Sequence, residues 1–124
     1  MSKTKALRRL VTSLLQTTPG GAYYREAPKD AAYPYKTFAL SSATFTDARD
    51  DLVLDVDIWD RSADSKTVED VADEIETLLR EANTPAPPIY PTFFRDARFL
   101  LDDPDKNLQH IQLRFMVQLY ETEE

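Results

Sequence analysis

The carboxylates Asp55, Asp57 and Asp60 come nearest to a chemical motif in this sequence. Asp55 and Asp57 stand at i and i+2 of an alternating stretch. On a strand both would point the same way, about 7 Å apart. Two such acids could hold Mg²⁺ with help from elsewhere, as metal-dependent hydrolysis requires. No Glu-x-Lys strand motif follows them, and no histidine lies near them in the sequence. Acids on the polar face of a half-buried sheet commonly pair with a basic residue on the neighbouring strand, and Arg114 is the expected partner. Pairing is therefore preferred over metal binding.

Other candidates fare worse. His110 is the only histidine and there is no cysteine, so the usual zinc sets and disulfides are excluded. His110 reads as a surface or edge-strand residue. Ser41, His110 and Asp55 could form a triad on paper, but the only glycines are Gly20 and Gly21, which gives no nucleophile elbow. Asp102, Asp103 and Asp105 have the density of a calcium loop without its glycine or closing glutamate; with Pro104 they read as a turn. No catalytic residue, metal or cofactor is expected.

A chain of 124 residues with 42% hydrophobic residues supports one core, and a single domain over 1–124 is expected. The net charge of −7 argues against binding along a nucleic-acid backbone, which needs clustered cations. The basic cluster Lys3, Lys5, Arg8 and Arg9 reads as the solvated face of a first helix. No apolar run approaches the roughly 20 residues of a membrane span. An intracellular protein without a membrane anchor is expected.

Periodicity supplies the elements. Leu7, Leu10, Val11, Leu14 and Leu15 form a helical stripe within Lys3 to Gln16, which ends at Pro19, Gly20 and Gly21. A brief strand follows at Ala22 to Arg25. Tyr35 to Ser42 and Leu52 to Trp59 alternate and should form a hairpin. A second helix, Lys66 to Ala82, buries Val68, Val71, Ala72, Ile75, Leu78 and Leu79 and turns Glu69, Asp70, Asp73, Glu74 and Glu76 away. Ser65 or Thr67 caps it, and Pro85, Pro87 and Pro88 end it. Phe93 to Leu101 and Leu108 to Tyr120 make a second hairpin, the latter turning Ile111, Leu113, Phe115, Val117 and Leu119 inward. This order predicts an α+β fold: a mainly antiparallel sheet with two helices packed on one face.

The other face would carry Gln112, Arg114, Asp55 and Asp57, facing solvent or a neighbouring subunit. Trp59 reads first as a core anchor and second as an interface anchor. Tyr23, Tyr24 and Tyr35 belong to a tyrosine-rich edge suited to protein contact. The connection Thr46, Asp47, Ala48, Arg49, Asp50 and Asp51 is polar and joins two strong strands, so it should project and carry contacts. The candidate interface residues are thus Tyr23, Tyr24, Tyr35, Asp47, Arg49, Asp50, Asp55, Asp57, Trp59 and Arg114.

Taken in order, Tyr24-Arg25-Glu26-Ala27-Pro28, Tyr33-Pro34-Tyr35-Lys36-Thr37-Phe38, Leu54-Asp55-Val56-Asp57-Ile58-Trp59-Asp60-Arg61-Ser62, the acidic second helix and the closing strand His110 to Tyr120 resemble the tail-completion, or tail-terminator, proteins of long-tailed phages. The resemblance covers almost the whole chain; the Asp102 to Leu108 turn and the proline-rich link match least. It implies a tail-terminator-like sheet flanked by helices, a virion structural role without catalysis, and a homo-oligomeric, hexameric ring at the tail–neck junction. That ring would end tail-tube growth and join tail to head. Its partners would be the tail tube protein and head-completion or connector proteins. DNA would cross its channel without sequence-specific binding, and no membrane would be involved. The chain would be made in the host cytoplasm. The alternatives are another neck or head-completion ring component, a Mg²⁺-dependent hydrolase using Asp55 and Asp57, and a small cellular binding module.

Overall fold

The computed structural model describes residues 3–45, 49–81 and 89–121. In chain order the elements are α1 (Lys3–Leu15), β1 (Gly21–Tyr24), β2 (Tyr35–Phe45), β3 (Asp50–Arg61), α2 (Lys66–Glu81), β4 (Ile89–Leu101) and β5 (Leu108–Glu121). The strands form one sheet in the order β1-β2-β3-β5-β4. Both expected hairpins are present, β2–β3 and β4–β5, and β3 also pairs antiparallel with β5. The short β1 joins β2 in parallel, so the sheet is mixed at that edge.

The core lies between one face of this sheet and the two helices. Leu7, Val11 and Leu15 of α1 and Val68, Val71, Ala72, Ile75 and Leu79 of α2 meet Phe38, Leu54, Val56, Ile58 and the five inward residues of β5. Burying each large aliphatic or aromatic side chain contributes about 1.5–3 kcal/mol, so this face supplies most of the stability.

The α1–β1 reversal depends on two residues. Gly20 has φ +92°, and a Cβ there would collide with the Pro34 carbonyl, so only glycine fits. Lys36 lies on the core face beside Phe38 with no exposed surface. Its Nζ donates to the carbonyl oxygens of Pro19 and Gly20 at 2.9 Å each and of Thr18 at 3.5 Å. Burial lowers its pKa to about 8, with nearby Glu74 opposing the shift.

Several expectations change. β3 starts two residues earlier and ends two later than its apolar alternation suggested, because Asp50 and Asp60 continue the buried side of the pleat. Asp50 and Asp51 are therefore strand residues, and the connection is shorter than its polarity implied. Thr46, Asp47 and Ala48 lie outside the described residues, as do Ala82 and the prolines Pro85, Pro87 and Pro88. β4 begins at Ile89, which is buried. Glu76 does not face away from the molecule: it is half-buried and accepts hydrogen bonds from Arg95 at 3.1 Å and Arg98 at 2.6 Å, tying α2 to β4. Leu78 is only partly buried.

At the start of α2, the Asp64 carboxylate accepts from the Lys66 amide, while the Ser65 hydroxyl donates to Glu69. The expected turn after β4 is built by Asp103 and Asp105, whose carboxylates accept from the amides of Asp105 and Asn107. Hydrogen bonds from Arg61 and then from the Asn107 amide push the pKa of Asp105 down.

Candidate interaction face

Among the described residues, no helix covers the second face of the sheet. Register gives its rows. Tyr35, Trp59, His110 and Leu101 stand side by side across β2, β3, β5 and β4. Next come Thr37, Asp57, Gln112 and Phe99, then Ala39, Asp55, Arg114 and Ala97, then Val53, Met116 and Phe94. Tyr23 of β1 joins the second row beside Thr37.

The first row is a stack of rings. Trp59 and His110 lie 3.6 Å apart, centroid to centroid, at 16°, and Tyr35 stacks on the other side of Trp59 at 6.5 Å. Tyr33 extends the stack at 5.3 Å from Tyr35, and Tyr23 meets Tyr35 edge-on at 6.3 Å. Burial, then Tyr33, pushes the pKa of Tyr35 up.

The polar rows satisfy themselves. Arg114 Nε donates to Asp55 Oδ1 at 2.8 Å, and that bond raises the guanidinium pKa further. Asp57 Oδ1 lies 2.6 Å from His110 Nε2 and accepts from Gln112 Nε2 at 3.2 Å. The expected pairing of Asp55 with Arg114 is thus present. The partners of Asp57 were not foreseen.

Two residues sit elsewhere than the sequence suggested. His110 is neither on an edge strand nor on the open surface: β5 is internal to the sheet, and the side chain is only 13% exposed beneath Trp59. Trp59 does not anchor the core; it stands half-buried on the face opposite the helices. The paper triad does not form. The carboxylate at His110 is Asp57, and Ser41 sits at the β2 bulge, about 17 Å along the sheet from the His110 row. Among the described residues, no group of three or more His, Cys, Asp or Glu is placed to hold a metal ion.

Of the ten candidate interface residues, Tyr23, Tyr35, Asp55, Asp57, Trp59 and Arg114 share this bare face. Tyr24 turns to the helix side, meeting Phe38 edge-on at 5.3 Å. Asp50 is buried, and Arg49 holds Asp51 at 2.8 Å beside the hairpin tip. Asp47 lies outside the described residues.

Alternation along the last strand put Met116 and Tyr120 on the bare face, as found; sequence reasoning missed the apolar contribution of β4. Tyr90, Phe94, Phe99, Leu101, Met116 and Tyr120 are all exposed there, Phe94 at 46%. Phe94 and Phe99 are five residues apart, which on a regular strand would put them on opposite faces. A bulge between Arg95 and Ala97 corrects the parity. It turns both rings outward and leaves Arg95 and Arg98 on the helix side for Glu76.

The family description that fits this chain is tail completion protein gp17, whose model matches residues 5–120. The chain belongs to that family. It is therefore a structural component of a phage tail, located in the virion tail. A chain from the virion of a native gene transfer agent particle shares the fold of this family member. The TM-score is 0.64 at 13% identity, over 96% of this chain and 92% of that one. No curated protein matches the chain. Among the described residues no helix is long and apolar enough to cross a membrane.

Proposed function

We propose that the chain closes into a hexameric ring at the head-proximal end of the tail tube, where it ends tube growth and joins tail to head. The observation that carries this reading is the bare sheet face of a tail-completion chain. It exposes Tyr90, Phe94, Phe99, Leu101, Met116 and Tyr120 around a preformed polar and aromatic centre. Large apolar side chains exposed on one sheet face mark a protein contact. Rigid aromatic side chains beside satisfied polar pairs supply contact area at low entropic cost.

The partners on this reading are further copies, the tail tube protein, and head-completion or connector proteins. DNA crosses the channel without being read. A chain of net charge −7 suits such a passage, because an acidic wall repels phosphate. The role needs no catalysis. Asp55 and Asp57 act as structural acids, since each already accepts hydrogen bonds from neighbours on its own sheet.

Static light scattering and electron microscopy of the purified protein, with and without tail tubes, test the proposal. Rings are expected. A strict monomer under both conditions would reject it. Titration with Mg²⁺ tests the hydrolytic alternative, for which binding weaker than millimolar is the expected result.

A further inference from the structure

The nine arginines divide into two groups. Arg49, Arg61, Arg95, Arg98 and Arg114 each hold a carboxylate of their own chain. Arg8, Arg9, Arg25 and Arg80 hold none among the described residues, although acids outnumber bases by 22 to 15. The first three gather at one place. A cleft of about 400 Å³ between α1 and β1 is lined by Arg8, Arg9, Thr12, Ser13 and Tyr24. Two guanidinium groups lie over the Tyr24 ring, Arg8 at 4.7 Å and Arg25 at 5.4 Å from its centroid. Cation–π contact holds these cations in place without neutralising them. Arg25 also sits at φ +70°, a conformation that costs a non-glycine residue energy, and its amide is fixed to the Phe38 carbonyl at 2.8 Å.

A second cleft, of about 480 Å³, lies between the C-terminal end of α1 and α2, lined by Thr17, Thr18, Asp73, Glu74, Thr77 and Leu78. It is acidic, and Asp70, Asp73 and Glu74 are exposed along its helix, Asp73 beside Arg98 at 2.8 Å and Asp70 beside Lys66 at 3.6 Å. Helix α1 therefore separates a basic cleft on its β1 side from an acidic one on its α2 side.

We propose that the basic cleft of one copy receives the acidic flank of α2 from a second copy, making a head-to-tail contact of the ring. This inference rests on the ring reading above. The contact is heterologous, joining two different surfaces, and repetition of such a contact closes a ring. Charge complementarity names the occupant: the excess acid each copy carries is what the unpaired arginines of the next one lack. Duplex DNA fits less well, because the remaining surface of a chain with net charge −7 repels it.

Charge reversal with rescue is the test, in the full chain and on tail tubes if rings need them. One variant carries Arg8→Glu and Arg25→Glu; the other carries Asp70→Lys and Glu74→Lys. Each alone should fold with an unchanged circular dichroism spectrum and weaken ring formation by at least tenfold. Mixed together, the two variants should restore rings, because each reversed surface then meets its complement. Should Arg8→Glu with Arg25→Glu fail to fold, Arg8→Gln with Arg25→Gln removes the charge at similar size and should still weaken assembly. Rings formed equally well by the separate variants, or folded variants whose mixture stays dispersed, would overturn this contact and leave the ring reading intact. A wild-type chain that never forms rings would overturn both. Tight duplex binding lost in Arg8→Glu with Arg25→Glu, with rings unaffected, would reassign the cleft to nucleic acid and also overturn the contact.

Discussion

The two faces of the sheet are built on opposite rules. On the helix side most inward positions are apolar and closed over, and the buried Lys36 finds three carbonyl groups. On the bare side polar groups are paired within the sheet, while large apolar groups are left open. A chain stable by itself gains little from exposing Phe94 and Met116. The difference teaches that stability is concentrated on one face.

Mutation can break this comparison, and the largest effects belong to the covered face. Leu54→Ala or Phe115→Ala should destabilise the chain by about 3–4 kcal/mol in urea unfolding, since both side chains are fully buried. Phe94→Ser on the bare face should leave the unfolding midpoint almost unchanged. Equal losses on the two faces would erase the distinction.

Lys36→Met comes next. It leaves the carbonyl groups of Thr18, Pro19 and Gly20 without their donor, at a cost of about 1–3 kcal/mol. The pH dependence has a definite sign. The folded pKa of about 8 lies below the ordinary value of 10.5, so between them the unfolded chain binds more protons. The stability of the wild type relative to Lys36→Met should therefore rise with pH from about 8 to 10.5. A flat difference would show that the lysine keeps its proton when buried.

Smaller effects belong to the centre of the bare face. A double-mutant cycle on Trp59→Ala and His110→Ala should give a coupling of about 1 kcal/mol for the stacked rings. The Asp55–Arg114 pair should couple less and weaken with added salt, because the arginine is well exposed.

Strict periods made much of this legible in the sequence. The stripe of α2 and the five inward residues of β5 follow directly from spacing, and so does the side on which Asp55, Asp57 and Arg114 stand. Contacts decided by distant register were not legible. Trp59 and His110 are 51 residues apart in number and meet because β3 pairs with β5. Lys36 sits in an alternating strand where a lysine reads as solvated, and its acceptors belong to a reversal 16–18 residues earlier. The bulge near Asp96 inverts the parity of β4, so alternation could not place both Phe94 and Phe99. β1 has only four residues, too few to announce a parallel pairing.

Cryo-electron microscopy of complete particles tests the central claim most directly. The account predicts a closed ring of copies at the head-proximal end of the tail tube, with Phe94, Phe99 and Met116 covered by a neighbouring protein. Particles in which the chain lies elsewhere, or stands at that junction with its bare face open to solvent, would contradict it.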